Sequence, residues 1–132
     1  MSEVKKRILI LVIEDEEILT RALEEKLLAE GFDVSIATNG IDGLKLALKE
    51  HPDLILLDIL IPKLDGTTLL KGLREDPWGA HAKVIILTNV KETGKMNEMM
   101  NVGLDVPNNT FDYLVKTDLS LSAIVDKIKE RL

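Results

Sequence analysis

Short apolar runs alternate along the chain with segments of helical periodicity, and this alternation constrains the fold more than any other feature. The segments between the runs place apolar residues three or four positions apart, which is typical of amphipathic helices. Strands that alternate with helices form βα units, and each right-handed crossover lays its helix on one face of a parallel sheet. The sequence therefore predicts an α/β fold, a doubly wound parallel sheet of five strands with five helices. The strands are predicted at residues 7–13, 32–36, 53–57, 83–87 and 111–115.

The helices are predicted from their caps and from the apolar residues expected to face the core. Asn39 and Ser120 each precede an amphipathic segment and are predicted N-caps, because their side-chain oxygens can accept a hydrogen bond from the first turn. The fourth helix is predicted at Glu92–Asn101, where periodicity is weak, and the segment VPNNT at 106–110 is predicted to be a loop. The helix residues predicted to face the core are Ile18, Leu19, Ala22, Leu23, Leu27, Leu28, Ile41, Leu44, Ala47, Leu48, Leu69, Leu70, Leu73, Leu121, Ile124, Val125, Ile128 and Leu132.

Size and composition limit the classes of protein that fit this sequence. A length of 132 residues predicts one domain, 1–132, and no apolar stretch reaches the length of a membrane span. The absence of cysteine excludes disulfides, thiolate metal sites and a cysteine nucleophile. A formal net charge of −6 gives no general attraction to nucleic acid or to anionic membranes. Without a signal peptide, the expected location is the cytoplasm.

Polar side chains occur where the predicted strands end. The pair Glu14-Asp15 follows the first strand, Asp58 ends the apolar run DLILLD, Thr88 follows the fourth strand and Lys116 follows the fifth. Parallel sheets of this kind carry their sites at the carboxyl ends of the strands. Three carboxylates brought together there repel one another unless a hard cation neutralises them, and oxygen ligands suit Mg²⁺. The sequence therefore predicts a magnesium site, and it makes Asp58 a candidate nucleophile toward a phosphoryl group.

Taken one at a time, these residues have ordinary structural interpretations. Acids after a strand, such as Glu14-Asp15, favour the N-terminus of the next helix, and Asp58 alone could be a turn residue. Thr88 alone would be a strand residue with good β-propensity, and Lys116 alone a solvated charge. Their joint placement at four strand ends favours one shared functional site over four unrelated structural roles.

Five other polar or aromatic residues are given no role in a site. Glu16 and Glu17 are interpreted as solvated acids in the first turn of a helix, where they favour the helix dipole. His51 and His81 lie in segments interpreted as a helix end and a loop, far in sequence from one another and from the acids. Trp78 is predicted to anchor a loop over the edge of the core.

The motifs at these strand ends resemble those of the receiver domains of two-component response regulators, in particular stand-alone chemotaxis-type regulators. The matching stretches are ILILVIEDEE, DLILLDILIPKLDG, VIILTN and DYLVK, which occur in this order and cover nearly the whole chain. The resemblance implies a flavodoxin-like sheet with strand order 2-1-3-4-5.

The resemblance also implies a role for each matching residue. Asp58 would be the phosphoacceptor, and Asp15 would bind Mg²⁺ directly. Glu14 would reach the metal through water, and the main-chain carbonyl of Leu60 would be a further ligand.

The other implied roles concern the phosphoryl group and a conformational switch. Thr88 would donate a hydrogen bond to the phosphoryl group, and Lys116 would pair with one of its oxygens. Tyr113, three residues before the lysine, would be an aromatic switch that packs inward when Thr88 moves. The alternative is a half-buried strand tyrosine without a switching role.

The sequence departs from the family pattern in three places. Thr117 stands where the family usually has a proline in a cis bond, so we expect a trans Lys116–Thr117 bond, because a non-proline cis peptide costs about 2.5–4 kcal/mol. Extra length around residues 106–110 is expected to remodel the loop before the fifth strand and puts partner choice on that face in doubt. Leu60 and Val90 are apolar and cannot steer a hydrolytic water, which favours a long-lived phosphoryl group.

The resulting hypothesis is a signalling module whose only catalysis is its own phosphorylation and dephosphorylation at Asp58, so it is not otherwise an enzyme. The phosphoryl donor would be a sensor histidine kinase or a phosphotransfer protein, and the output a contact with an unknown protein, a relay to another histidine or a further domain. Direct contact with nucleic acid and membrane insertion are not expected. The chain is expected to be a monomer or a dimer that forms on phosphorylation.

Three alternatives remain open at this point. A Mg²⁺-dependent phosphatase-like enzyme or nucleic-acid-cleaving domain on a similar sheet usually has a second aspartate two residues after the first, where this chain has Leu60. An FMN carrier is disfavoured because the EDEE loop would repel a phosphate. A pseudo-receiver that only binds partners would not need the complete set of acids, threonine and lysine.

Overall fold

The computed structural model describes residues 7–58, 63–64, 66–88, 111–115 and 120–132. Five parallel strands form one sheet, in the order β2-β1-β3-β4-β5. This confirms the predicted parallel sheet and its strand order. The strands are β1 (Leu9–Ile13), β2 (Asp33–Ala37), β3 (Leu54–Asp58), β4 (Val84–Thr88) and β5 (Phe111–Val115).

Four α-helices and one short 3-10 helix accompany the sheet in the described residues. They are α1 (Glu17–Ala29), α2 (Gly40–Glu50), α3 (Gly66–Glu75), the 3-10 helix Gly79–His81 and α4 (Leu121–Arg131). The helix predicted at 92–101 and the loop predicted at 106–110 lie outside the described residues. No helix among those described is both long enough and apolar enough to cross a membrane.

The sheet separates two apolar cores, because successive side chains of a strand point to opposite faces. Leu11 and Ile13 of β1 lie in one core with α2 and α3, whereas Ile10 and Val12 lie in the other with α1 and α4. The central strand β3 is buried along its whole length. Helices thus cover both faces, as the predicted doubly wound arrangement requires.

Three helix residues predicted to face the core are instead solvent-exposed. Ile18 is 87% exposed, Leu28 47% and Ile41 42%, so the prediction was wrong for them. In α1 the buried stripe consists of Thr20, Leu23 and Leu27. The apolar face predicted from the periodicity is wider than the strip of helix surface that contacts the sheet. Apolar residues at the margins of that face therefore stay exposed to solvent.

The N-terminus of α2 is fixed by the predicted cap. The Oδ1 of Asn39 accepts a hydrogen bond from the Asp42 backbone N–H at 2.9 Å, and its Nδ2 donates to the Asp42 carboxylate at 2.9 Å. Asn39 is also buried. The side chain therefore satisfies one of the backbone donors that the first turn of a helix leaves unpaired.

Replacing Asn39 with alanine is expected to lower the free energy of unfolding by about 1 kcal/mol, because the backbone N–H of Asp42 loses its acceptor. Urea unfolding of the two proteins measures this difference. Ser120→Ala is the control, since Ser120 caps α4 at 3.2 Å from an exposed position and should contribute less. Equal stability of Asn39→Ala and the native chain would contradict the expectation.

The connection between α3 and β4 is held by a partly buried arginine. Nη1 of Arg74 donates to the carbonyl oxygens of Gly79 at 2.9 Å and Ala82 at 2.7 Å. Burial lowers the pKa of Arg74 to about 10, so the guanidinium is still cationic at neutral pH. Trp78 in the same connection packs against the core that contains α3, which agrees with its predicted anchoring position.

Ion pairs fasten α4 to the rest of the domain. Asp112 of β5 accepts from Arg131 at 2.8 Å and lies 3.3 Å from the Lys127 ammonium. Lys129 pairs with Glu30 just after α1, and its ammonium holds the pKa of that carboxyl below its usual range. The last helix is thus tied to both β5 and α1.

Candidate functional site

The first part of the site is the turn between β1 and α1. The backbone N–H of Glu14 donates to the Ala37 carbonyl at 3.0 Å, which extends the pairing of β1 with β2 by one residue. The Glu14 carboxylate is fully buried and accepts a hydrogen bond from the Glu16 backbone N–H at 3.0 Å. Asp15 is exposed. The turn therefore presents one buried and one exposed carboxylate at the end of β1.

The second part is the last residue of β3. Asp58 is paired in register with Leu87 of β4, and only 5% of its surface is exposed. The parallel register also pairs Ile13 with Leu57, so β1 and β3 end side by side. The aspartate that interrupts the apolar run DLILLDILIP thus lies at the carboxyl edge of the sheet.

These two parts bring three carboxylates together. Glu14, Asp15 and Asp58 each offer one oxygen, and these oxygens lie within 4.8 Å of one another. Three carboxylates at this separation repel one another strongly, because two of them are buried and so poorly screened by water. A bound cation would remove that repulsion.

The donor set fits Mg²⁺. All three ligands are carboxylate oxygens, which hard divalent cations prefer, and Mg²⁺ usually binds through few protein ligands while keeping several waters. Exposure of Asp15 leaves one side of the cluster open to solvent, where such waters would lie. Softer metals would favour imidazole or thiolate, and the described cluster contains neither.

The remaining predicted site residues are only partly described. Thr88 ends β4 and is paired with Val115, and Tyr113 lies in the middle of β5 opposite Ile86, but their side chains lie outside the described part of the structure. Leu60, Lys116 and Thr117 lie wholly outside the described residues, as does Val90. The expected roles of these residues and the trans Lys116–Thr117 bond stay predictions.

Glu16 and Glu17 do not join the three-carboxylate cluster. Glu16 is the N-cap residue of α1, and Glu17 in its first turn pairs with Arg21 at 2.6 Å on the exposed surface. Glu17 confirms the prediction of a first-turn acid, whereas Glu16 lies one position earlier, at the N-cap.

The two histidines lie close together at the opposite end of the strands. His51 and His81 line a cavity of about 290 Å³ together with Trp78 and Lys83. The His51 ring stacks on Trp78 with centroids 4.4 Å apart. The distance between the two histidines in the sequence gave no sign that they line one cavity. The cavity lies at the beginning of β4, at the opposite edge of the sheet from the three carboxylates.

The family model of the response regulator receiver domain matches residues 10–129. That range includes all three clustered carboxylates. The chain belongs to the response regulator receiver domain family. This confirms the resemblance and agrees with the strand order of the sheet.

Two curated relatives and one solved structure illustrate the likeness. The response regulator PleD of Caulobacter vibrioides is 33% identical in an alignment of 134 residues that covers 92% of this receiver domain and 28% of PleD. RpaA of Synechocystis sp., a DNA-binding dual master transcriptional regulator, is 36% identical over 107 residues, which cover 81% of this chain and 42% of RpaA. The receiver domain thus spans less than half the length of either relative.

The solved structure is the receiver domain of the sensor histidine kinase PA1611 from Pseudomonas aeruginosa, described with a magnesium ion coordinated in its active-site cleft. It superposes on this receiver domain with a TM-score of 0.79 at 24% identity, covering 95% of this chain and 97% of that one. A likeness of this degree supports the fold.

Proposed function

We propose that this receiver domain accepts a phosphoryl group on Asp58 in a Mg²⁺-dependent transfer. The donor is the phosphohistidine of a sensor histidine kinase or of a phosphotransfer protein. The observation that carries the proposal is the convergence of the Glu14, Asp15 and Asp58 carboxylates at the carboxyl edge of the sheet. An acidic cluster would repel a phosphoryl group, so the proposal requires the cation that these ligands fit.

The reaction needs one nucleophile and little other covalent chemistry. An oxygen of Asp58 attacks phosphorus, the bond between phosphorus and the imidazole nitrogen breaks, and the electron pair leaves with the imidazole. Asp58 then carries an acyl phosphate. Catalysis consists of placing the reactants and compensating charge.

The chain supplies the metal ligands and the groups that face the phosphoryl oxygens. Asp15 and Asp58 would hold Mg²⁺ directly, Glu14 would act through a water, and the Leu60 carbonyl would be a further ligand. Bound Mg²⁺ supplies positive charge that offsets the negative charge of the carboxylates and the phosphoryl oxygens. A magnesium ion is described in the active-site cleft of the PA1611 receiver domain, which shares this fold, and this supports a magnesium site in the proposal.

Thr88 and Lys116 contact the phosphoryl group in this proposal. Thr88 ends β4, the strand next to β3 and Asp58, and Lys116 follows Val115, the last residue of β5, in the sequence. Thr88 donates a hydrogen bond and Lys116 pairs with an oxygen. Movement of Thr88 toward phosphate is the step that switches Tyr113.

The output of phosphorylation is a change in a protein-interaction face. The chain forms a single domain that spans 1–132. The domain is a monomer or dimerises on phosphorylation, it resides in the cytoplasm, and it makes no direct contact with nucleic acid. RpaA, which is a DNA-binding regulator, contains a relative of this domain. In a longer protein, binding of DNA would therefore belong to another domain, since this one carries a net charge of −6.

Incubation of the native protein with a small phosphodonor such as acetyl phosphate, followed by intact mass measurement, tests the proposal. We expect the mass of one phosphoryl group in Mg²⁺ and no gain in excess EDTA, because the carboxylates then repel the donor. The mass after removal of EDTA and renewed addition of Mg²⁺ is the control for lasting damage. Equal labelling in EDTA would contradict metal dependence, and no labelling in Mg²⁺ would contradict a phosphoacceptor.

A further inference from the structure

The cavity lined by both histidines lies at the opposite edge of the sheet from the three carboxylates. It has a volume of about 290 Å³ and is enclosed by the segments 51–53 and 81–83, by Ile8 before β1 and by Leu132 after α4. Trp78, the only tryptophan of the chain, also lines it. The proposed phosphoryl transfer uses none of these residues.

One wall of the cavity is aromatic and is held in place by its surroundings. The ring planes of His51 and Trp78 are 9° apart and their centroids 4.4 Å apart. The His51 backbone has a left-handed φ of 50°, a conformation that histidine adopts more often than most residues. The Asp76 carboxylate accepts hydrogen bonds from the backbone N–H groups of Trp78 at 2.9 Å and Gly79 at 3.0 Å. The stacked pair is therefore in place before any ligand binds, which lowers the cost of binding.

The polar side chains of the cavity include both hydrogen-bond donors and acceptors. Nζ of Lys83 donates to the main-chain oxygen of Leu132 at 2.9 Å, and an ammonium can donate three hydrogen bonds. Oδ2 of Asp53 accepts from the Leu9 backbone N–H at 2.8 Å, and a carboxylate can accept several more. The two imidazoles, when neutral, each offer one donor and one acceptor. These groups keep hydrogen-bonding capacity that their contacts within the protein do not use.

Charge and volume narrow the class of ligand that fits this cavity. Among the lining residues that the structure describes, the charged side chains are one ammonium and one carboxylate, which favours a ligand without net charge. A cavity of about 150 Å³ admits benzene, so about 290 Å³ admits two fused rings. Ile8, Pro52 and Ala82 supply apolar surface for the faces of such a molecule, and the polar side chains can meet its edge. A purine base is a molecule of this kind.

We propose that this cavity binds a neutral, bicyclic heteroaromatic ligand of the purine type. The ligand packs against the stacked His51 and Trp78 rings, accepts a hydrogen bond from Lys83 and donates one to Asp53. The proposal does not depend on the metal site, which lies at the other edge of the sheet.

Titration of the native protein with adenine, followed by tryptophan fluorescence, tests the proposal. Excitation at wavelengths that adenine does not absorb makes the emission report on Trp78, and therefore on this cavity alone. We expect a saturable change in emission. In His51→Asn the dissociation constant should rise at least tenfold, because asparagine tolerates the left-handed backbone but lacks the ring.

Lys83→Met tests the hydrogen bond separately, because methionine keeps an apolar stem but cannot donate. The dissociation constant for adenine should again rise about tenfold. Lys49→Met is the matched control, since Lys49 is an exposed lysine of α2 outside the cavity, and it should bind adenine like the native protein. Urea unfolding identifies a temperature at which each protein is fully folded.

Absence of a saturable change with adenine would overturn the proposal. Unchanged affinity in either folded cavity variant would also overturn it, because the proposal requires both the stack and the hydrogen bond. If His51→Asn does not fold, Lys83→Met decides alone. Calorimetric titration with 1-naphthoate, an anion with two fused rings, should show weaker binding than adenine, and equal or tighter binding would overturn the proposed ligand class.

The cavity variants should be phosphorylated by acetyl phosphate in Mg²⁺ like the native protein. Failure of adenine to bind would therefore leave the proposed phosphoryl transfer intact, and failure of phosphorylation would leave the cavity proposal intact.

Discussion

Replacing Asp58 with asparagine is expected to abolish phosphorylation by a small phosphodonor in Mg²⁺. The amide has nearly the shape of the carboxylate but is neutral and a poor nucleophile. We expect the rate of labelling to fall more than about a hundredfold. Intact mass measurement over time gives the rate for both proteins.

The matched control is Asp33→Asn, which makes the same chemical change at the other end of the sheet. Asp33 begins β2, is about half exposed and pairs with Arg7 at 3.1 Å. This variant should be labelled like the native protein. Labelling of Asp58→Asn at the native rate would show that another residue accepts the phosphoryl group.

Replacing Asp15 with asparagine is expected to weaken Mg²⁺ binding about a hundredfold, the largest effect on metal affinity that we predict. A direct ligand should matter at least as much as the outer-shell groups whose loss costs 10–100-fold. Mg²⁺ at a hundred times the native dissociation constant should stabilise the native fold by about 2.7 kcal/mol, and the variant by only about 0.4 kcal/mol. Urea unfolding with and without Mg²⁺ measures the stabilisation of each protein by the metal.

Neutralising Asp15 removes part of the repulsion among the three carboxylates, so the metal-free variant should be at least as stable as the native protein. Glu17→Gln is the control, because Glu17 is also exposed and lies two residues away but outside the carboxylate cluster. Stabilisation by Mg²⁺ that is equal in Asp15→Asn and Glu17→Gln would exclude Asp15 as a ligand.

The parallel sheet and the edge on which the carboxylates meet could be predicted from the sequence pattern, and the order of the strands from the resemblance to receiver domains. Apolar runs of strand length marked β1 and β3, and parallel strands end on the same edge, so Asp58 had to lie near Glu14-Asp15. The boundaries of four strands differ from the prediction by a residue or two, as for β3, which includes Asp58. Hydrogen bonding, not hydropathy, decides where a strand ends.

Other features could not be predicted because they depend on how elements pack. Adjacent acids in the sequence gave no sign that Glu14 is buried and Asp15 exposed. The exposure of Ile18 depends on which line of α1 touches the sheet. The approach of Leu64 to Gly40 depends on the path of the connection after β3, which no local pattern records.

The carboxylates of the cluster come from distant parts of the chain. A fragment that ended before β3 would carry Glu14 and Asp15 without Asp58, and folding must close the long loop between them against its entropy. Contacts of such high contact order form late and together. The capacity to hold a divalent cation should therefore emerge in the same cooperative transition that assembles the sheet, with no partly folded precursor that binds the ion tightly.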